Sequence, residues 1–361
     1  MVAEKVIYFV SPSSEYWGAE RSLFSIATGL RDAGTKVALV ASSPSLINRW
    51  RRDVGDEVVG VPFCARSGNR LVRALGFFPA LASLPAGSTS VLFDIDLMIP
   101  AAILRRRWKR RHLVSVLDLH TVSTSTKGRR VIRRLAKMVD GCIAVSDFAA
   151  RQVDESTRTA VVHRPMDSPG TCAAAPSNHK PTIGIIGRID PQKMVEFGLH
   201  ALGSVREDID VRLRGAPMDG GAHYLVDMVN LGRDLMSTRF KYEGSFPNAT
   251  VFSGLDYLLF LNPVEPSGRV VAEAQMRGVV VIGPDSGGAA EFIDDEVTGY
   301  KFRNGDVNDC AAVIEKAVRS PQRFQEIAEE ARTRALGAYN YENQCRAYAK
   351  HLSDVRTAVC R

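Results

Sequence analysis

The sequence predicts an α/β protein built as two doubly wound domains, on three observations. Short apolar runs alternate with helical stretches through residues 1–167. Residues 168–180 (SPGTCAAAPSNHK) are dominated by small and turn-forming side chains, the composition of a linker. The same alternation resumes at Pro181 and continues to residue 340. A chain of 361 residues, 45% apolar and 24% charged, is long enough to bury two such cores.

In the first half, Val6 to Ser11 reads as a strand and Gly18 to Gly29 as a helix with apolar positions at Leu23, Ile26 and Leu30. Val37 to Ala41, Val91 to Phe93 and Leu113 to Val116 are further strands, the last two separated by a helix over Ala101 to Arg107. Cys142 to Val145 is a strand that follows a basic helix near Ile132. In the second half, strands are expected at Pro181 to Gly187, Val211 to Arg214, Tyr257 to Leu261 and Val279 to Ile282. The tail, Tyr341 to Val359, is helical in pattern. Neither a G-x-G-x-x-G nor a G-x-x-x-x-G-K-[ST] fingerprint occurs.

The six cysteines are scattered without a C-x-x-C pair or a neighbouring histidine pattern, which argues against a metal site or a disulfide framework and for a reducing cytoplasm. Val6 to Val10 is too short for a secretory leader and follows Glu4 and Lys5. No apolar run reaches membrane-spanning length. Charge is unevenly placed: residues 1–170 hold 25 Lys/Arg against 15 Asp/Glu, and the remainder 22 against 25. The excess is concentrated in Arg105 to Arg111 (RRRWKRR) and Lys127 to Lys137 (KGRRVIRRLAK). Such clusters suit anionic lipid headgroups or an acidic acceptor, or form a solvated basic face. No nucleic-acid-binding motif accompanies them.

The chemistry concentrates in residues 262–299 (NPVEPSGRVVAEAQMRGVVVIGPDSGGAAEFIDDEVTG). Glu265 and Glu273 are separated by seven residues, with Ser267-Gly268-Arg269 between them reading as the entry to a helix over Val270 to Met276. Val279 to Ile282 then reads as a buried parallel strand. Free amides at a helix start attract anions, and carboxylates accept bonds from hydroxyls, so the segment suits a polyhydroxylated ligand carrying phosphate. Glu265 is expected just outside that helix and Glu273 about two turns into it. Upstream, the strand ending at Gly187 leads into Arg188, with Lys193 five residues on, in the loop where open α/β sheets bind ligands. One planar and one point cation suit a diphosphate.

These residues resemble the retaining family 4 glycosyltransferases. Their E-x7-E motif, short strand and Gly-Gly loop are similar to Glu265/Glu273, Val279 to Ile282 and Asp285-Ser286-Gly287-Gly288. Their G-R-x-x-x-x-K signature is similar to Gly187-Arg188 and Lys193. The resemblance implies the GT-B fold, two Rossmann-like domains facing across a cleft, with a terminal helix crossing back onto the first domain. It implies transfer of a sugar from a nucleotide diphosphate sugar with retention, Arg188 and Lys193 on the diphosphate, Glu265 on sugar hydroxyls and Glu273 on the ribose. Tyr16-Trp17-Gly18-Ala19-Glu20 is similar to the family's G-G-x-E loop, with Trp17 in place of the first glycine and Gly18 as the second. The family's strand ending in His-Asp is matched by Leu117-Asp118, with His120 two residues on as the donor-sugar contact. Base contacts are expected around Gly215 and in Gly244-Ser245-Phe246-Pro247.

No cofactor beyond the donor substrate is expected. Asp94-Ile95-Asp96 is a literal D-x-D triplet of the kind that binds Mn²⁺ or Mg²⁺, but it recurs as Asp208-Ile209-Asp210, and with Arg188 and Lys193 present no metal is expected. A sugar-nucleotide 2-epimerase and a non-catalytic partner subunit remain alternatives. The basic first half points to a glycan or glycolipid acceptor at an anionic membrane, reached through Arg105 to Arg111. Nearby, Leu71, Val72, Leu75 and Phe78 fall at helical spacing, as an interfacial helix or a helix packed on its own sheet would place them.

Overall fold

The structure, a computed structural model, describes residues 6–14, 16, 18–61, 69–107, 113–166, 180–218 and 220–360. Two compact units emerge: Met1–Asp167 together with Tyr339–Arg361, and Ser168–Ala338. Of the expected linker only Lys180 falls within the described residues; Trp17 and residues 108–111 of the basic run lie outside them. Among the described residues no helix is long and apolar enough to cross a membrane.

The first unit runs β1 (Ile7–Ser11), α1 (Gly18–Asp32), β2 (Val37–Ala41), α2 (Pro44–Asp53), β3 (Val58–Gly60), α3 (Arg70–Gly76), α4 (Phe78–Ser83), β4 (Thr89–Leu92) and α5 (Met98–Arg107). It continues with β5 (Val114–Leu119), α6 (Thr126–Ala136), β6 (Gly141–Ala144), α7 (Asp147–Ala150) and β7 (Thr159–Val161). The strands form one parallel sheet in the order β3-β2-β1-β4-β5-β6-β7. Its central strands are buried on both faces, as expected for a parallel sheet covered by crossover helices. Val10, Val40, Leu92 and Leu117 face α4, α5 and α6. Phe9, Leu39, Val91 and Val116 face α1, α2 and a returning C-terminal helix.

The second unit runs β8 (Thr182–Ile186), α8 (Val195–Ser204), β9 (Asp210–Arg214), α9 (Ala222–Met236), β10 (Phe240–Gly244), β11 (Tyr257–Leu259) and α10 (Arg269–Gln275). It ends with β12 (Val280–Pro284), β13 (Gly299–Phe302), α11 (Val307–Val318) and α12 (Pro321–Ala338). Its sheet is parallel in the order β10-β9-β8-β11-β12-β13. The order reverses between β8 and β11, which pair directly through Ile183 and Tyr257. In doubly wound sheets that reversal opens a crevice beyond the strands' carboxyl ends, and ligands bind there.

The returning helix, α13 (Tyr341–Cys360), belongs to the first unit. Tyr348, Leu352 and Val355 recur at helical spacing and are buried against the sheet. One buried charge cluster ties it down. The Arg164 guanidinium donates to both carboxylate oxygens of Asp118, at 2.9 Å to Oδ2, and Tyr348 Oη donates to the same Oδ2 at 2.8 Å. Burial acts to raise the Asp118 pKa, but the Arg164 charge and its hydrogen bonds outweigh it and hold the carboxyl well below the usual carboxylate range.

Breaking such a pair strands the other charge in the interior. Asp118→Asn should therefore destabilise the protein by about 3–5 kcal/mol at pH 7, and Tyr348→Phe by about 1.5–3 kcal/mol, measured by urea unfolding. A depressed folded-state pKa contributes stability that is fully present above the unfolded value of about 3.9 and is lost as pH falls through the folded value. The gap between wild type and Asp118→Asn should thus narrow below about pH 4. A gap that widens on acidification would contradict this assignment.

Candidate donor-binding site

The sheet order of the second unit brings together two loops distant in sequence. The loop after β8 carries Gly187, Arg188 and Lys193; the loop after β11 carries Asn262 and Glu265. Lys193 closes a short 3-10 turn, Pro191–Lys193, whose entry is capped by Asp190 accepting from Gln192 N at 2.9 Å. From that turn Lys193 Nζ donates to Glu265 Oε2 at 2.7 Å, across 72 residues of sequence. Both side chains keep partial exposure, 27% for Lys193 and 21% for Glu265. Asn262 Nδ2 donates to the same oxygen at 3.1 Å, while Asn262 Oδ1 accepts from Val264 N at 3.1 Å and fixes the turn. Arg188 leaves the same strand end as Lys193 and is more loosely held: its Nε is 3.5 Å from Asp190 Oδ2 and its Nη1 donates to the Met218 sulfur at 2.9 Å.

Glycine makes the floor of the site. β8, β9 and β10 end or are followed by Gly187, Gly215 and Gly244, with Gly187 N bonded to Arg214 O at 3.1 Å and Gly215 N to Gly244 O at 2.8 Å. A Cβ on Gly215, at φ 148°, would overlap the Gly187 carbonyl oxygen. The result is a flat backbone shelf that side chains would obstruct. Phe246 borders it, with the Arg214 guanidinium 4.5 Å from its ring centroid. Arg214 is itself held by Glu243 at 2.8 Å and by the carbonyls of Val251 and Ser253.

The opposite wall is α10 with the Gly-Gly loop. Gly268 caps α10 in the left-handed conformation, φ 59°, and a Cβ there would lie 2.6 Å from Ala289 Cα. The loop also bonds directly to the first carboxylate's backbone, Gly288 N to Glu265 O at 2.8 Å. The expected depth of Glu273 is corrected: α10 begins at Arg269, so Glu273 lies four residues in, little more than one turn. There it accepts from Arg269 Nε at 2.9 Å. Because α10 has only seven residues, its start at Ser267 to Arg269 is a weak source of dipole, and the charged side chains dominate the site's field.

In the first unit, Gly18 opens α1, where a Cβ would meet open space, and Glu20 two residues on is buried. His120 follows β5, its ring 4.7 Å from the Phe93 ring centroid and tilted 30° to it, with Nδ1 3.3 Å from Asp118 Oδ1. The expected ligand contact of Asp118 is corrected. Its carboxylate is fully buried and is taken up by Arg164, Tyr348 and His120, so it orients neighbours and offers no oxygen to a ligand. The D-x-D triplet is otherwise engaged too: Asp94 caps a 3-10 turn through Asp96 N at 2.9 Å, while Asp208 and Asp210 pair with Lys180. Among the described residues no three His, Cys, Asp or Glu side chains cluster as a metal site would require.

Sequence reasoning assigned no role to Asn262, Arg214 or Ser286. Asn262 had a signal, an Asx residue ending an apolar strand three residues before Glu265. Ser286, in the Gly-Gly loop, had none of its own, yet its buried Oγ has no hydrogen-bond partner among the described residues.

Two family models match this chain: Glycosyltransferase Family 4 over residues 17–168 and Glycosyl transferases group 1 over residues 173–334. Over 249 residues the chain is 25% identical to a GDP-mannose-dependent alpha-mannosyltransferase of Corynebacterium glutamicum, covering 65% of this chain and 58% of that protein. Over 164 residues it is 28% identical to a D-inositol 3-phosphate glycosyltransferase of Saccharomonospora viridis, covering 42% and 38%. The matched stretches therefore span less than two thirds of either relative. Among solved structures, Anabaena Alr3699/HepE in complex with UDP and glucose superposes with a TM-score of 0.80 at 20% identity, covering 97% of this chain and 100% of that one. The lipopolysaccharide outer core galactosyltransferase WaaB gives 0.79 at 13% identity, covering 97% and 99%. With both halves matched and two parallel-sheet α/β units in place, this chain belongs to the group 1, family 4 glycosyltransferases of the GT-B fold.

Proposed function

We propose that the chain transfers a sugar from a nucleotide diphosphate sugar to an acceptor hydroxyl, with retention and without a metal ion. The observation that carries this reading is the Lys193–Glu265 pair at the sheet's reversal point, with Arg188 in the loop that carries Lys193. In such a reaction the bond from the anomeric carbon to the diphosphate breaks and a bond to the acceptor oxygen forms. The acceptor's proton passes to the departing phosphate. The main barrier is charge developing on the leaving diphosphate, and fixed cations at that position lower it most.

Lys193 and Arg188 supply that charge in this reading. The incoming diphosphate takes the Lys193 ammonium from Glu265, and the freed carboxylate, still held by Asn262, accepts from donor-sugar hydroxyls. Glu273 serves the ribose hydroxyls in the same way, the shelf of Gly187 and Gly215 takes the base beside Phe246, and the Ser286 hydroxyl finds its partner on the donor. In the first unit His120 is the candidate for a sugar contact, its ring held by Asp118 and Phe93. The names of the matched proteins, a GDP-mannose-dependent enzyme and a complex with UDP and glucose, support a nucleotide-sugar donor. The acceptor we assign to a lipid-linked or cell-envelope glycan, because the basic residues of the first half, Arg105 to Arg111 among them, suit an anionic membrane surface.

Replacing Arg188 or Lys193 by Ala should slow turnover on the order of 10²- to 10³-fold with unchanged thermal stability. Steady-state kinetics with a donor chosen by thermal-shift screening of UDP-, GDP- and dTDP-sugars would show this, and near-wild-type rates in both variants would remove the site. Excess EDTA should leave the rate unchanged. A strict Mn²⁺ or Mg²⁺ requirement would instead return Asp94 and Asp96 to consideration as ligands.

A further inference from the structure

We propose that the outward face of α3, α5 and α6 is a bilayer-seating surface for anionic lipid, α6 supplying the charge and α3 the apolar anchor. This deepens the membrane reading above and rests on it, but assigns the contact to different residues. The three helices lie on one side of the first sheet, α5 packing against both α3 and α6.

On α6 the inward residues are Ile132 and Ala136, both buried. The rest of the helix carries Lys127, Arg129, Arg130, Arg133 and Arg134, all exposed, with no carboxylate between Thr126 and Ala136. Val131 stands among them 46% exposed, and Met138, two turns on along the same face, is 43% exposed. α3 repeats the inversion. Ala74 and the following Phe77 turn inward, whereas Leu71, Val72 and Leu75 remain exposed on the outer surface. A helix that had only to cover its own sheet would keep polar residues outside. Of the eleven exposed large apolar residues described, six belong to these three helices or to the turn that ends α6, Ile103 of α5 included; the other five are scattered through the rest of the chain. Single exposed apolar residues are ordinary, but such a concentration marks an interaction surface.

The charge selects the occupant. Two copies of so basic a face would repel each other across a symmetric contact, and a phosphate backbone offers nothing to Leu71, Val72 and Leu75. An anionic bilayer satisfies both halves, with cations at the headgroups and apolar side chains at the acyl boundary. Each Lys or Arg near such a surface raises partitioning on the order of fivefold, so a triple neutralisation should weaken binding on the order of 100-fold.

Vesicle flotation of the whole chain tests this, with phosphatidylcholine alone and with phosphatidylcholine plus phosphatidylglycerol. Wild type should float only with the anionic vesicles. Arg130→Ser/Arg133→Ser/Arg134→Ser should lose most binding at low salt. Leu71→Ser/Leu75→Ser should keep the low-salt attraction but lose what survives 1 M salt, where the Debye length is only about 3 Å. Donor hydrolysis in solution should match wild type in both variants, which reports folding separately and tests the catalytic reading independently. If both variants float like wild type while neutralising Arg110 and Arg111, beyond the end of α5, abolishes flotation, this surface is wrong and the broader membrane reading stands. Equal binding to neutral vesicles, no binding at all, or a dimer broken by the α3 variant in sedimentation would each overturn the proposal.

Discussion

The second unit is organised around one ion pair, Lys193 to Glu265 at 2.7 Å. It forms because β8 and β11 are neighbours in the sheet although far apart in the chain, so the loops that leave them meet at the reversal of strand order. Every local feature around it serves that meeting. Asp190 caps the turn that delivers Lys193, Asn262 braces Glu265, and the Gly-Gly loop bonds to the backbone of Glu265. Gly268 and Gly215 allow chain segments to approach where a side chain would intervene. The pair is partly exposed, so its members meet neither the full desolvation penalty nor the full attraction of a buried pair. That is the condition under which a stronger anion can displace the carboxylate.

The first unit contains the opposite case. Asp118 and Arg164 are also an ion pair, but their side chains are 0% and 4% exposed, and Tyr348 of the terminal helix completes the cluster. Nothing from solvent reaches it. Its work is to hold α13 against the sheet and to fix His120, whose Nδ1 lies within reach of Asp118. The two pairs differ in burial more than in chemistry, and burial separates a lock from an exchangeable contact.

Much of this architecture was legible in the chain. The unbroken apolar runs Val37 to Ala41 and Val279 to Ile282 could be read as parallel strands because both faces of such strands are covered. Arg188, Lys193, Glu265 and Glu273 could be singled out because strand ends and glycine loops are local signals. Short edge strands were not legible: β10 reads FKYEG and β13 GYKF, where polar residues interrupt the pattern that covered strands show. The role of Asp118 was misjudged because its partners lie 46 and 230 residues away, and no local pattern reveals such contacts. The spacing of Leu71, Val72, Leu75 and Phe78 suggested a shared helical face, but Phe78 opens α4 and packs against the core, which leaves the first three exposed. Periodicity cannot say whether a face turns inward, and only the burial of Ala74 and Phe77 settles that it does not.

The exchange at Lys193 is the centre of this account, and nucleoside diphosphate affinity measures it directly. Without a sugar attached, the ligand has nothing to offer Glu265, so that carboxylate acts only as a competitor for Lys193. Titration calorimetry should therefore show that Glu265→Gln binds UDP or GDP, whichever the wild type accepts, more tightly than wild type. The gain should be of the order of an exposed ion pair, about 0.2–1 kcal/mol, while transfer from the intact donor slows. Weaker nucleoside diphosphate binding in Glu265→Gln would contradict the account, because it would make the carboxylate a direct part of the phosphate site.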